Sequence, residues 1–114
     1  MTNNNLLKMC EQVKNDLVNL YNNNPSDEEI VEAEENGVAY DLYSYISDSL
    51  NITYTLDSEK KLIGVRLMVA GGGPNIFINT VSGKIEGYWG SDEVTLFIPD
   101  EISKAITENF EDMF

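Results

Sequence analysis

Carboxylates are the commonest reactive groups in this chain, and they are unevenly spread. Between Lys14 and Lys60 there is no basic residue, while Asp16, Asp27, Glu28, Glu29, Glu32, Glu34, Glu35, Asp41, Asp48, Asp57 and Glu59 all fall inside that window. Glu28, Glu32 and Glu35 follow at steps of four and three, which sets them on one face of a helix. Like charges at that spacing cost an isolated helix about 0.2–0.5 kcal/mol per pair. Carboxylates can act as acids, bases or metal ligands, but their usual helpers are scarce. Histidine is absent and Cys10 is the one cysteine, so the commonest general base is missing and a Cys/His zinc site cannot be assembled from one chain. The adjacent pairs Asp92-Glu93 and Glu111-Asp112 do not point at one site, and no segment has EF-hand spacing with its glycine at the sixth position. The expectation is no catalytic residue, no cofactor and no metal site beyond diffuse attraction of Ca²⁺ or Mg²⁺. An enzyme working through carboxylates alone ranks last.

What such a stretch offers is electrostatic binding. One reading is a solvated helix face that keeps the protein soluble. The other is a face that imitates the phosphate row of a nucleic acid and enters a basic channel on a partner. The whole chain leans the same way: among 114 residues, 20 are acidic and 7 basic, a net charge of -13. That balance disfavours direct binding to nucleic acid or to anionic membrane surfaces. It favours fast encounter with a basic protein. Candidate partner-binding residues here are Asp27, Glu28, Glu29, Glu32, Glu34, Glu35, Asp41 and Asp48.

Two further motifs lie downstream. Gly71-Gly72-Gly73-Pro74-Asn75 could present backbone N–H groups to an anion, but no Gly-Lys-Ser/Thr follows, so it is not a nucleotide-binding P-loop. The plainer reading is a wide connection between strands, with the Asn75 side chain stabilising the turn. In Glu86-Gly87-Tyr88-Trp89-Gly90 the simplest role for Trp89 is packing between sheet and helix, and the alternative is a recognition edge. Gly72, Gly73, Asn75, Tyr88, Trp89, Asp92 and Glu93 complete the candidate binding set.

The elements that must position these groups are legible in the periodicity. Leu6, Met9, Cys10, Val13, Leu17, Leu20 and Tyr21 form one helical face, ended by Asn22-Asn23-Asn24-Pro25. Ser26 and Glu29 make a capping box for a second helical stretch. Asn36-Gly37 divides it into two short helices, the later one marked by Val38, Leu42, Tyr45, Ile46 and Leu50. Strands follow over 51–57, 62–70, 76–80, 84–89 and 93–98, joined by the polar turns 58–61 and 81–83. A last helix starts at Asp100 as its cap, with Ile102, Ala105, Ile106, Phe110 and Met113 as its stripe. These add up to a single α+β domain over 1–114. Its helical, acidic part spans 6–50, its antiparallel meander of four to five strands spans 51–98, and a C-terminal helix spans 100–113. The polar N-terminus, a single cysteine and the lack of any apolar run near 20 residues predict a soluble cytoplasmic protein.

Gly72-Gly73-Pro74-Asn75-Ile76, Asn79-Thr80, Gly83 and Glu86-Gly87-Tyr88-Trp89-Gly90 resemble a signature, G-G-P-N-I…T…G…E-G-Y-W-G, of small proteins encoded by bacterial phages and mobile elements. The wider class of small acidic phage proteins includes anti-CRISPR and anti-restriction inhibitors that block the nucleic-acid site of a nuclease. The resemblance covers the second half of the chain and brings no catalytic residues. It implies an inhibitor whose partner is a nucleic-acid-binding effector such as a CRISPR nuclease complex. An immunity or antitoxin protein that neutralises a toxin by the same electrostatics is the alternative.

Overall fold

The computed structural model describes residues 4–114. Helix α1 (Asn4–Tyr21) buries Leu6, Cys10, Val13 and Leu17, a stripe at steps of four, three and four. Asn22 closes it by donating from its side chain to the Val18 carbonyl at 2.9 Å. Ser26 then caps α2 (Asp27–Asn36) with the capping box complete, and Gly37 ends it at φ 67°. Glycine, with no Cβ, takes that left-handed conformation most readily. Asp41 caps α3 (Leu42–Ser47), which buries Leu42 and Ile46. The division into two helices holds, but Val38 and Leu50 lie outside both and are exposed. Asn23 and Tyr40, at the two feet of α2, are tied by a 2.6 Å bond from the Asn23 side chain to the Tyr40 carbonyl.

Five strands follow: β1 (Asn51–Leu56), β2 (Leu62–Ala70), β3 (Asn75–Asn79), β4 (Lys84–Trp89) and β5 (Asp92–Phe97). They form one antiparallel sheet in the order β1-β2-β3-β4-β5. Each strand pairs with the one before it, because short turns leave no room for anything else. The turn chemistry is local. Asp57 Oδ1 accepts from the Glu59 and Lys61 N–H groups at 2.8 and 2.9 Å, and Asn79 Oδ1 accepts from those of Val81 and Ser82. Helix α4 (Asp100–Glu111) closes the fold. Pro99, not Asp100, holds the cap position, and no side chain caps the helix there. Proline before the first turn already fixes the entry, which leaves Asp100 as a first-turn acid favoured by the helix dipole. Met113 lies beyond the helix and is exposed, and Ser103 and Thr107 join the buried face of α4.

Strand register divides the sheet into two faces. One carries Val65, Leu67, Ile76, Ile78, Ile85 and Val94, all buried. Against it lie α1, over β4 and β5, and α4, over β2. Each fully buried aliphatic side chain stabilises the fold by about 1.5–3 kcal/mol relative to exposure. Gly87 sits where α1 comes closest: a Cβ there would collide with Cys10 Sγ and press on Leu6 at 3.1 Å. Thr80 ties the β3–β4 turn to both sides. Its Oγ1 accepts from the Val65 N–H at 2.8 Å and meets Thr107 Oγ1 of α4 at 2.8 Å. The other face carries alternating polar and aromatic side chains. Among the described residues no helix is long and apolar enough to cross a membrane.

Candidate functional site

Helix α2 holds six of the candidate carboxylates in ten residues and buries none of its side chains. Asp27, Glu28, Glu32 and Glu35 surround Val31 in one shallow depression. Val31 itself is 54% exposed, although valine contributes most when covered. Ion pairing does not offset this charge. Among the described residues the salt bridges are Lys61–Glu59 at 3.5 Å and Arg66–Glu86 at 2.9 Å, and neither reaches α2. Glu34 and Glu35 also stand at the C-terminal end, where the helix dipole disfavours anions. The like-charge repulsion read from the sequence is therefore present and unrelieved.

Not every candidate carboxylate belongs to this surface. Glu29 serves the helix itself: its Oε1 accepts from Ser26 Oγ at 3.1 Å while its own N–H donates to that hydroxyl. Asp41 accepts the Ser44 N–H at 2.8 Å and so caps α3. Asp48 ends α3 and lines a small cavity with Tyr45, Ser49 and Val69. Nearby, burial pushes the Tyr45 hydroxyl up to about 12, with the Asp16 carboxylate adding to the shift. Glu34 is exposed on α2, away from the depression around Val31.

The candidates of the second half meet at one end of the sheet. Asn75 pairs with Tyr88, Tyr88 pairs with Glu93, and Trp89 pairs with Asp92. The β2–β3 loop bearing Gly72 and Gly73 opens at that same end, with Gly72 at φ 93°. The Asn75 side chain makes no hydrogen bond among the described residues, so the turn does not depend on it. Trp89 is 38% exposed, not packed between sheet and helix. Register does place it on the helix-facing side with Ile85 and Gly87. Gly87, however, already lies against Leu6 in the first turn of α1, so little helix remains to cover the next position on that side.

Most of the glycine-rich signature has a job in the fold. Ile76 is core, Thr80 bridges α4, and Gly83 and Gly90 turn the chain at φ 69° and 62°. Gly87 admits α1. Gly72 turns the chain at φ 93°, and for Gly73, Pro74, Asn75 and Trp89 no such role emerges among the described residues. One cluster escaped the sequence reading. Arg66 reaches across β3 to Glu86 of β4, and its guanidinium lies 3.6 Å from the Phe77 ring centroid, with Tyr88 edge-on to Phe77 at 6.1 Å. The signal was in the alternation: these residues occupy the even positions of β2 and β4 and the odd positions of β3, all on the uncovered face.

Among the described residues no three His, Cys, Asp or Glu side chains converge to hold a metal ion. Burial pushes the Cys10 thiol up, which makes it a poor nucleophile. Comparisons with protein-family models, with curated proteins and with solved structures find no match.

Proposed function

We propose that this chain is an acidic inhibitor that presents α2 to the basic nucleic-acid-binding surface of a partner, such as a defence nuclease of the CRISPR type. The observation that carries this reading is α2 itself: six carboxylates in ten residues, none in a salt bridge among the described residues, on a helix with no fully buried side chain. Packing does not require that composition, and helix stability argues against it. A basic channel would supply the missing counter-charge, and the field of a -13 chain would speed the encounter. Val31, exposed among four carboxylates, adds an apolar contact that a phosphate row lacks. The resemblance of the second half to small phage proteins, an expectation drawn from the sequence, supports the choice of a defence nuclease as the partner class.

The test uses the variant Glu28→Lys/Glu32→Lys/Glu35→Lys beside the wild type, in nucleic-acid cleavage assays with a panel of CRISPR and restriction nucleases. The wild type is expected to inhibit one of them, less strongly as salt rises. The triple variant is expected to lose inhibition while keeping its melting temperature. Equal inhibition by the two proteins, or no inhibition of any nuclease by the wild type, defeats the proposal.

A further inference from the structure

The uncovered face of the sheet departs from the charge of the rest of the chain. In register it has three rows. The first is Thr53, Arg66, Asn79, Lys84 and Phe97, the second Asn51, Met68, Phe77, Glu86 and Thr95, and the third Asn75, Tyr88 and Glu93. Two cations, Arg66 and Lys84, meet two anions, Glu86 and Glu93, so this face is neutral on a molecule of net charge -13. The cations sit together in the first row and the anions in the second and third. Aromatic side chains cross the face on β3, β4 and β5. Phe97 is 68% exposed, and Lys84 Nζ lies 5.7 Å from its ring centroid.

From this arrangement we infer that the face is the contact surface of a symmetric dimer with a second copy of the chain. A two-fold axis lying along the middle row reverses the strand direction of the second copy. Each cationic first row then lies over the other copy's third row. Lys84 comes over Tyr88 and beside Glu93, Phe97 comes over Glu93, and Phe77 meets its own counterpart, as does Glu86, whose charge Arg66 of its own copy already pairs. The pattern is self-complementary, as an isologous interface requires. Neutrality selects the same face, since it is where two strongly negative bodies can approach with least repulsion. Five strands about 4.8 Å apart, with five to six residues at about 3.4 Å, give a footprint of roughly 24 by 19 Å. That is on the order of 450 Å² in projection per copy, the low end for specific interfaces, so the dimer is reversible. The inference does not depend on the role given to α2, and salt acts on the two in opposite directions. Screening the repulsion between copies strengthens the dimer, while screening α2 weakens its hold on a basic partner.

Sedimentation equilibrium on the 12.8 kDa chain tests this, from low micromolar to about 0.5 mM protein and at about 0.05 and about 0.5 M NaCl. The wild type is expected to dimerise, several-fold more tightly at the higher salt. Lys84→Glu and Phe97→Glu should each weaken association at least tenfold without changing the circular dichroism spectrum. Lys84→Glu combined with Glu93→Lys should restore it, because the exchanged charges meet again across the axis. A wild type that stays monomeric at both salts overturns the inference, and so does a dimer that both single variants leave intact.

Discussion

Helices α1 and α2 follow one another in the chain and obey different rules. In α1 the buried stripe is packed throughout: Leu6 and Cys10 close over Gly87, and Val13 and Leu17 continue into the core. In α2 the side chains that carry the pattern touch no core, and its caps and dipole account for only part of the composition. Where packing dictates a sequence, the sequence reports the fold. Where packing is silent and local physics is opposed, as with Glu28, Glu32 and Glu35, the fold alone does not account for the sequence.

The contrast can be broken from the α1 side with the largest effect. Leu17→Ala removes a fully buried side chain and should cost about 2–5 kcal/mol in urea unfolding. Gly87→Ala forces a methyl into Cys10 and Leu6 and should cost about 1–3 kcal/mol. Adding Cys10→Ala to it should return part of that loss, since Sγ is the nearest obstruction. On the α2 side, Ser26→Ala deletes the cap and should weaken the helix by about 1 kcal/mol. The effect should stay local: faster amide exchange within 27–36, with the global midpoint nearly unmoved, because α2 buries nothing. A global loss as large as that of Gly87→Ala would show that α2 is part of the core after all. Smallest of all, Glu28→Gln/Glu32→Gln/Glu35→Gln should raise α2 protection by a few tenths of a kcal/mol per relieved pair, more at low salt.

Cys10 and Tyr45 both have raised pKa values from burial, Tyr45 to about 12, whereas their ordinary values are 9.0 and 10.0. Each group therefore keeps its full contribution below its ordinary value and loses it as pH rises through the shifted one. These two groups should make urea stability fall between about pH 9 and 12. Tyr45→Phe should make the fall shallower above about pH 10.

Much of the architecture was legible in the sequence because it rests on short-range rules. The stripe of α1, the Ser26–Glu29 box, Gly37 as a stop and the strand alternation are each decided within a few residues. Asp100 failed as a cap because Pro99 had already fixed the helix entry. Trp89 was misplaced because strand parity says which face a side chain takes but not how far a helix extends over it. The importance of Gly87 and the Arg66–Phe77–Glu86 cluster stayed hidden for a related reason. One depends on an α1 residue far earlier in the chain, the other on a side chain spanning two strands, and periodicity encodes neither. At the candidate site, the α2 surface was readable from spacing alone. The separate duties of Glu29, Asp41 and Asp48 needed the hydrogen bonds.

The placement of α1 on β4 and β5 has a temporal consequence. The five strands can zip together one hairpin after another as they emerge, since each pairs with its immediate predecessor. Helix α1 is made before the whole sheet, and its landing ground, β4 and β5, is the last part of that sheet to follow. Closing so long a loop is slow, and until then the stripe of Leu6, Cys10, Val13 and Leu17 waits in water, the state in which nascent chains aggregate. The acidic segment that follows directly behind it gives the waiting chain a charged escort against such sticking.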